Sequence, residues 1–301
     1  MSNEQIIVFN GKTGANGKPT KLVATLHMPV SNPAKKGVLL AVGGPQNRTG
    51  SHRQFLLLAR FLADNGIPVF RFDYSGMGDS EGDKTEFLDA CEDLDNAIQC
   101  FFEQADITEF VFWGLCDAVS LGLMYLSVKP DNRLVDFIAL NPWVRQSHTE
   151  AQAYLKNYYW QRLKDKNFWI KVLSLKFNYG AAIKGFVSAI SRALAKAKPD
   201  ALAGQSHSNN KATSWPEFSE NNYVNAMRLG LTKLPKRFHI ILSGNDLTAD
   251  EFEILVKNDE SWGQAIAVAK GRELTVEHAT HTFSSKQWRR QVEEFSLTVC
   301  R

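Results

Sequence analysis

Cysteine is scarce in this chain: four residues, Cys91, Cys100, Cys116 and Cys300, among 301. None forms a C-x-x-C pair, and no His/Cys cluster has zinc-ligand spacing. That pattern excludes a disulfide framework, a thioredoxin-type redox pair and a structural zinc module. Charge of one sign is also lacking, since 35 Lys and Arg face 32 Asp and Glu for a net of +3. No basic run is interleaved with aromatics, so nucleic acid is not an expected partner. No apolar run approaches the roughly 20 residues that span a bilayer, and stable membrane insertion is not expected. Met1-Ser2-Asn3-Glu4-Gln5 has no basic region leading into an apolar core, as a signal peptide would. The expectation is a cytoplasmic protein with reduced thiols. The Lys/Arg-bearing stretch 184–198 is a candidate for a membrane surface, against the simpler reading of a solvated cap helix. The loop Gly76-Met77-Gly78 lacks the Lys-Ser/Thr of a phosphate cradle, and no cofactor or metal is expected.

Hydrophobic content, at 44%, is ample for a core. Strands are expected at Gln5–Phe9, Leu22–Met28, Gly37–Val42, Val69–Phe72, Val135–Leu140, Arg237–Ser243 and Glu273–Val276. Gly37–Val42 is continuously apolar, as in a strand covered on both faces. Helical periodicity marks Ser51–Asn65, Thr85–Gln104, Val119–Val128 and Ser284–Val299, the last with capping-box spacing at Ser284 and Gln287. Alternating strands and helices predict an α/β fold with a mostly parallel central sheet and helices on both faces. The rhythm breaks after Asn141-Pro142. Residues 1–141 and 226–301 are assigned to the core, and 142–225 to an inserted helical cap rich in aromatics over 154–169.

Cys116 lies in Trp113-Gly114-Leu115-Cys116-Asp117-Ala118, between the apolar run Phe110-Val111-Phe112 and a helix. The segment approximates the G-x-S-x-G nucleophile elbow, with Cys for Ser and Ala118 for the last Gly. A thiol there faces the unpaired N–H groups of a helix start, which favour thiolate; the bland alternative is a buried small hydrophobe. Downstream, Asp246 follows one expected strand and His281 another, in the order nucleophile, acid, histidine. Strand C-termini are also where open α/β sheets place ligands. The predicted chemistry is attack by Cys116 on an acyl carbon, with His281 as base and Asp246 orienting its ring. His278 is the rival base, and His281 is preferred because Thr282-Phe283-Ser284 leads directly into a helix. Asp250 is the rival acid but falls inside the helix starting near Thr248, and Asn141, at another strand end, cannot serve as the anion. Oxyanion donors are expected from the N–H of Asp117 and from the loop Gly43-Gly44-Pro45-Gln46, with Gln46 favoured and Gly44 the fallback. Gly44, His52 and Trp143 are candidate substrate contacts. The Asp117 carboxylate stands beside the thiol, where it opposes the helix dipole.

These residues resemble the α/β-hydrolase superfamily over nearly the whole chain. The closer match is to the exosortase A system-associated hydrolases, type 1. It is carried by Gly43-Gly44-Pro45-Gln46-Asn47-Arg48, Gly50-Ser51-His52-Arg53-Gln54-Phe55, Arg71 to Ser80, Trp113 to Ala118, Asn141-Pro142-Trp143-Val144-Arg145 and His281-Thr282-Phe283-Ser284. The elbow is also similar to that of the dienelactone hydrolases, which use a Cys-His-Asp triad. The resemblance implies a bacterial protein linked to exopolysaccharide production and PEP-CTERM protein sorting and supplies no substrate; the Cys-His-Asp order predicts a hydrolase of a small-molecule ester, thioester or lactone. Acyl transfer to a sugar or lipid acceptor is the near alternative. A non-catalytic binding protein on the same scaffold is the alternative of a different class. Against the superfamily's common pattern, the chain has Cys for Ser, Ala118 for Gly, and Gly43-Gly44-Pro45 where His-Gly is frequent.

Overall fold

Alternation of apolar side chains along the central strands decides where this chain's core lies. In the computed structural model, which describes residues 3–14, 17–145 and 215–301, eight strands form one sheet. They are β1 (Asn3–Thr13), β2 (Pro19–Met28), β3 (Lys36–Ala41), β4 (Val69–Phe72), β5 (Glu109–Leu115), β6 (Leu134–Leu140), β7 (Phe238–Ser243) and β8 (Lys270–Val276). Their order is β1-β2-β4-β3-β5-β6-β7-β8. β2 pairs antiparallel with both β1 and β4, and all later pairings are parallel. On β3, β5 and β6 one set, Leu39, Ala41, Phe110, Phe112, Phe137 and Ala139, packs into one core layer. The intervening set, Val38, Leu40, Val111, Trp113, Leu115, Ile138 and Leu140, packs into the other. Both faces of these strands are therefore covered, and their sequences read as near-continuous apolar runs, broken in β6 by Asp136.

The helices divide between the two layers. α1 (Gln54–Asp64) and the C-terminal α7 (Lys286–Cys300) contribute Phe55, Leu58, Leu62, Val292 and Val299 to the layer containing Trp113. Trp113 Nε1 donates to Ser296 Oγ at 3.0 Å, tying β5 to α7. α2 (Cys91–Gln104), α3 (Asp117–Val128), α4 (Tyr223–Leu231), α5 (Leu247–Asn258) and α6 (Glu260–Ala269) serve the opposite layer. Every residue of α3 from Ala118 to Leu126 is buried, as expected of a helix enclosed on all sides. α4 packs so closely on it that a Cβ on Gly230 would lie 1.9 Å from Leu123 O.

Met1–Val144 and Trp215–Arg301 form one compact unit. Most of the cap expected over 142–225 lies outside the described residues, as do the aromatics of 154–169 and the basic stretch 184–198. At its ends, 142–145 are irregular and Tyr223–Leu231 is α4. Boundaries shift elsewhere. The helix expected from Thr85 is a 3-10 turn at Phe87–Asp89 followed by α2. The last helix is capped by Ser285, whose side chain accepts from Trp288 N–H, not by Ser284. Among the described residues, no helix is long and apolar enough to cross a membrane.

Candidate active site

β5 ends at Leu115 and α3 begins at Asp117, leaving Cys116 alone to make the reversal. Its backbone sits at φ 62°, ψ −126°, a region that L-residues seldom occupy. Neighbouring bonds hold it there. The Cys116 N–H donates to Leu140 O at 2.9 Å, and its carbonyl accepts from the N–H groups of Val119 (3.0 Å) and Trp143 (3.3 Å). Small residues make the turn possible. A Cβ on Gly114 would sit 3.2 Å from the backbone of Ala118 and Val119. One on Gly43, in the loop after β3, would lie 2.0 Å from Leu115 O. The strand–turn–helix expected from G-x-C-x-A is thus present, with the thiol half-buried at its tip.

Asp246 ends the short turn after β7 and caps α5, where its Oδ1 accepts from Thr248 N–H at 3.3 Å. Its Oδ2 lies 2.7 Å from His281 Nδ1. Ser243 Oγ donates to the same oxygen at 3.4 Å. Asn141, at the end of β6 and fully buried, links these groups from behind. Its Nδ2 donates to Ser243 Oγ (2.8 Å) and to the His281 carbonyl (3.1 Å), and its Oδ1 accepts from Ser243 N–H (2.9 Å). Asn141, Ser243, Asp246 and His281 form a closed ring of hydrogen bonds across three chain segments. His278 is exposed with φ 62°, and Asp250 lies in the first turn of α5. The acid–histidine pair in the structure is Asp246 with His281.

The oxyanion loop departs from expectation. Gln46 N–H donates to Gly44 O at 2.8 Å, closing its own turn. The Gln46 side chain bonds Gly43 O, Ser51 N–H and Ser51 Oγ. Gln46 thus braces the loop through both its backbone and its side chain. The Gly44 N–H is the one aimed toward the elbow, where it donates to Asp117 Oδ1 at 2.6 Å. Burial pushes the Asp117 carboxyl up to about 6, against the N–H groups of Gly44, Ala118 and Asp117 itself, which pull it down. Behind the loop, Arg48 pairs with Asp73 and, at 2.8 Å, with Asp79, while Arg71 Nη1 donates to Arg48 O at 2.8 Å. A Cβ on Gly78 would collide with the Asp73 carboxylate. The two glycine-bearing motifs after β3 and β4 are thus a structural staple.

A cleft of about 70 Å³ opens beside the start of α3. It is lined by Gly44, Pro45, Tyr74, Met77, Phe87 and Asp117, among others, and its walls include neither Cys116 nor His281. His52, exposed at φ 53°, and Trp143 do not line it either. Trp143 instead braces the elbow through its backbone, its carbonyl accepting from Ser120 Oγ at 2.5 Å. Among the described residues no cluster of His, Cys, Asp and Glu could hold a metal ion. Sequence reasoning left Asn141 and Ser243 without a role. The available signal was a pair of small polar residues closing otherwise apolar strands.

Solved structures of α/β-hydrolases share this architecture. An esterase from Pyrococcus furiosus matches with TM-score 0.58 at 16% identity, covering all of this chain and 92% of its own. An α/β serine hydrolase homologue from Coxiella burnetii matches with TM-score 0.53 at 11% identity, over 99% of this chain and 97% of its own. A lid-less α/β serine hydrolase from Xanthomonas campestris matches with TM-score 0.53 at 12% identity, over 99% and 93%. No protein-family model matches the chain, and no curated protein matches it in sequence. The chain has the α/β-hydrolase fold.

Proposed function

We propose that this protein is a hydrolase of esters, thioesters or lactones that works through a Cys116 acyl-enzyme. The observation that carries this is the Asp246–His281 pair at 2.7 Å, held beyond the same sheet edge as the strained Cys116 elbow. Cys116 adds to the acyl carbon while His281 takes the thiol proton, and Asp246 stabilises the resulting imidazolium. The alcohol or thiol leaves with that proton. His281 then activates water, which attacks the thioester and releases acid and free Cys116. Developing oxyanion charge is met by the N–H groups of Asp117 and Gly44. The similar solved proteins described as esterases and serine hydrolases support the reaction class, with cysteine in place of serine here. The motif resemblance to exosortase-associated hydrolases supports an exopolysaccharide setting. In that setting a saccharide hydroxyl could replace water as acceptor.

The test is turnover of a chromogenic short-chain thioester. Cys116→Ala is expected to lose at least about 10³-fold in kcat. Wild-type turnover in that variant would overturn the covalent mechanism. Tight ligand binding without turnover of any activated acyl compound would instead favour the binding-protein alternative.

A further inference from the structure

An N–H group assigned to a substrate oxyanion already has an occupant. The Gly44 N–H donates to Asp117 Oδ1 at 2.6 Å. The cradle is built around it. Gly43 has no room for a side chain, because a Cβ there would come within 2.7 Å of Asp117 Oδ1 as well as striking Leu115 O. The Gly44 N–H and the start of a 12-residue helix thus face one carboxylate, a setting that favours a bound anion.

We propose that this cradle is a carboxylate-binding site filled by the protein's own Asp117 side chain, which a substrate acyl group must displace before it can be attacked. The consequence for turnover rests on the Cys116 mechanism proposed above; the occupancy does not. The adjoining cleft gives the displaced side chain a destination. Asp117 lines it together with Tyr74, Lys84 and Glu86. The Tyr74 hydroxyl is buried and, among the described residues, has no hydrogen-bond partner. Lys84 Nζ is paired with Glu86 Oε1 at 3.3 Å, and the Glu86 charge opposes that of Asp117. Burial already raises the pKa of Asp117, so its anionic form is held less firmly than the Gly44 N–H alone would hold it. Asp117 thereby acts as a specificity filter, since an acyl group enters only if its own contacts exceed those of the resident carboxylate.

Two measurements on Asp117→Ala test this. The first is thermal unfolding in sodium acetate against sodium chloride at equal ionic strength. Acetate, a free carboxylate, should raise the Tm of the variant saturably by about 2–4 °C and leave the wild type unchanged. The second is thioester turnover. The variant should gain about 10-fold in kcat/KM and become competitively inhibited by acetate. Asp117→Asn, whose amide still fills the cradle, should show no acetate effect. If Asp117→Ala does not fold, Asp117→Ser, whose hydroxyl stops short of the Gly44 N–H, replaces it. Equal acetate shifts in wild type and variant, or none in either, would overturn the proposal. An acetate shift without turnover would leave the carboxylate site standing and remove the hydrolase mechanism. Turnover that is not raised in the variant, with no acetate shift, would do the reverse.

Discussion

At the scale of single residues, the least expected participant is Asn141. It occupies the strand end from which an acid could have been drawn, yet it is neutral and fully buried. Its amide connects Ser243 to the His281 carbonyl, and Ser243 in turn touches Asp246. In the mechanism proposed above Asn141 is a positioning residue, because its amide holds the His281 backbone. Asn141→Ala should lower kcat of thioester hydrolysis by about 10–100-fold with a smaller change in KM, as expected when a base is misplaced but the binding surface is kept. It should also cost about 1–3 kcal/mol of stability through the partners left unsatisfied. An unchanged kcat accompanied by that stability loss would make the network purely structural. Asp246→Asn should leave the fold intact and reduce kcat by about 10²–10⁴-fold, since an amide cannot stabilise the imidazolium. Steady-state kinetics on a chromogenic thioester reads both.

At the scale of elements, two adjacent glycines of one loop are set apart by their surroundings. Gly43 abuts Leu115 O and Asp117. Gly44, at φ 64°, has nothing within 4 Å of its missing Cβ. Gly43→Ala should therefore displace the loop from the elbow and cost about 1–3 kcal/mol in denaturant unfolding, with loss of activity. Gly44→Ala should carry only the cost of a left-handed alanine, about 1 kcal/mol. Equal effects would show that the close approach of loop and elbow is not what fixes the loop. The sheet was legible in the sequence because each central strand buries both faces, so β3, β4, β6 and β7 appear as apolar runs with sharp ends. The elbow was legible because its small residues are required by contacts within six positions of chain. The last helix was misjudged by one capping residue, since Ser284 and Ser285 are both good caps and only the packing of Phe283 and Val292 selects the second. In the ring of Asn141, Ser243, Asp246 and His281, the Asp246–His281 pairing was legible in the chain order, but the links through Asn141 and Ser243 were not. They depend on β6 lying next to β7, across about 100 residues of intervening chain. The use of the Gln46 N–H within its own turn, where it donates to Gly44 O, was hidden for a related reason.

Across the molecule, two buried ionisable groups give the stability curve opposing slopes. His27 on β2 is fully buried, with Nε2 accepting from Arg71 Nε at 2.9 Å. Burial first, and Arg71 second, push its imidazole down from 6.5 to about 4. Between those values the unfolded chain binds the extra proton, so this contribution is complete above about pH 6.5 and is lost as pH falls toward 4. Asp117 behaves oppositely. Its carboxyl is raised from 3.8 to about 6, so its contribution is complete below about pH 4 and is lost as pH rises through 6. Each is worth on the order of 3 kcal/mol at most. Urea unfolding at pH 4.5 and 6.5 should therefore show His27→Gln losing less stability than wild type on acidification. Asp117→Asn should lose more. Parallel behaviour of the three proteins would contradict the assigned burial of these groups.

All of this converges on whether Cys116 carries the acyl group. The direct measurement is intact mass after brief mixing with a panel of short-chain thioesters, followed by peptide mapping. The account predicts a single adduct of one acyl mass on the peptide containing Cys116. That adduct should persist longer in His281→Ala, once formed, because deacylation lacks its base. Turnover with no adduct on Cys116 at any time, or an adduct mapped to Cys91, Cys100 or Cys300 instead, would contradict it.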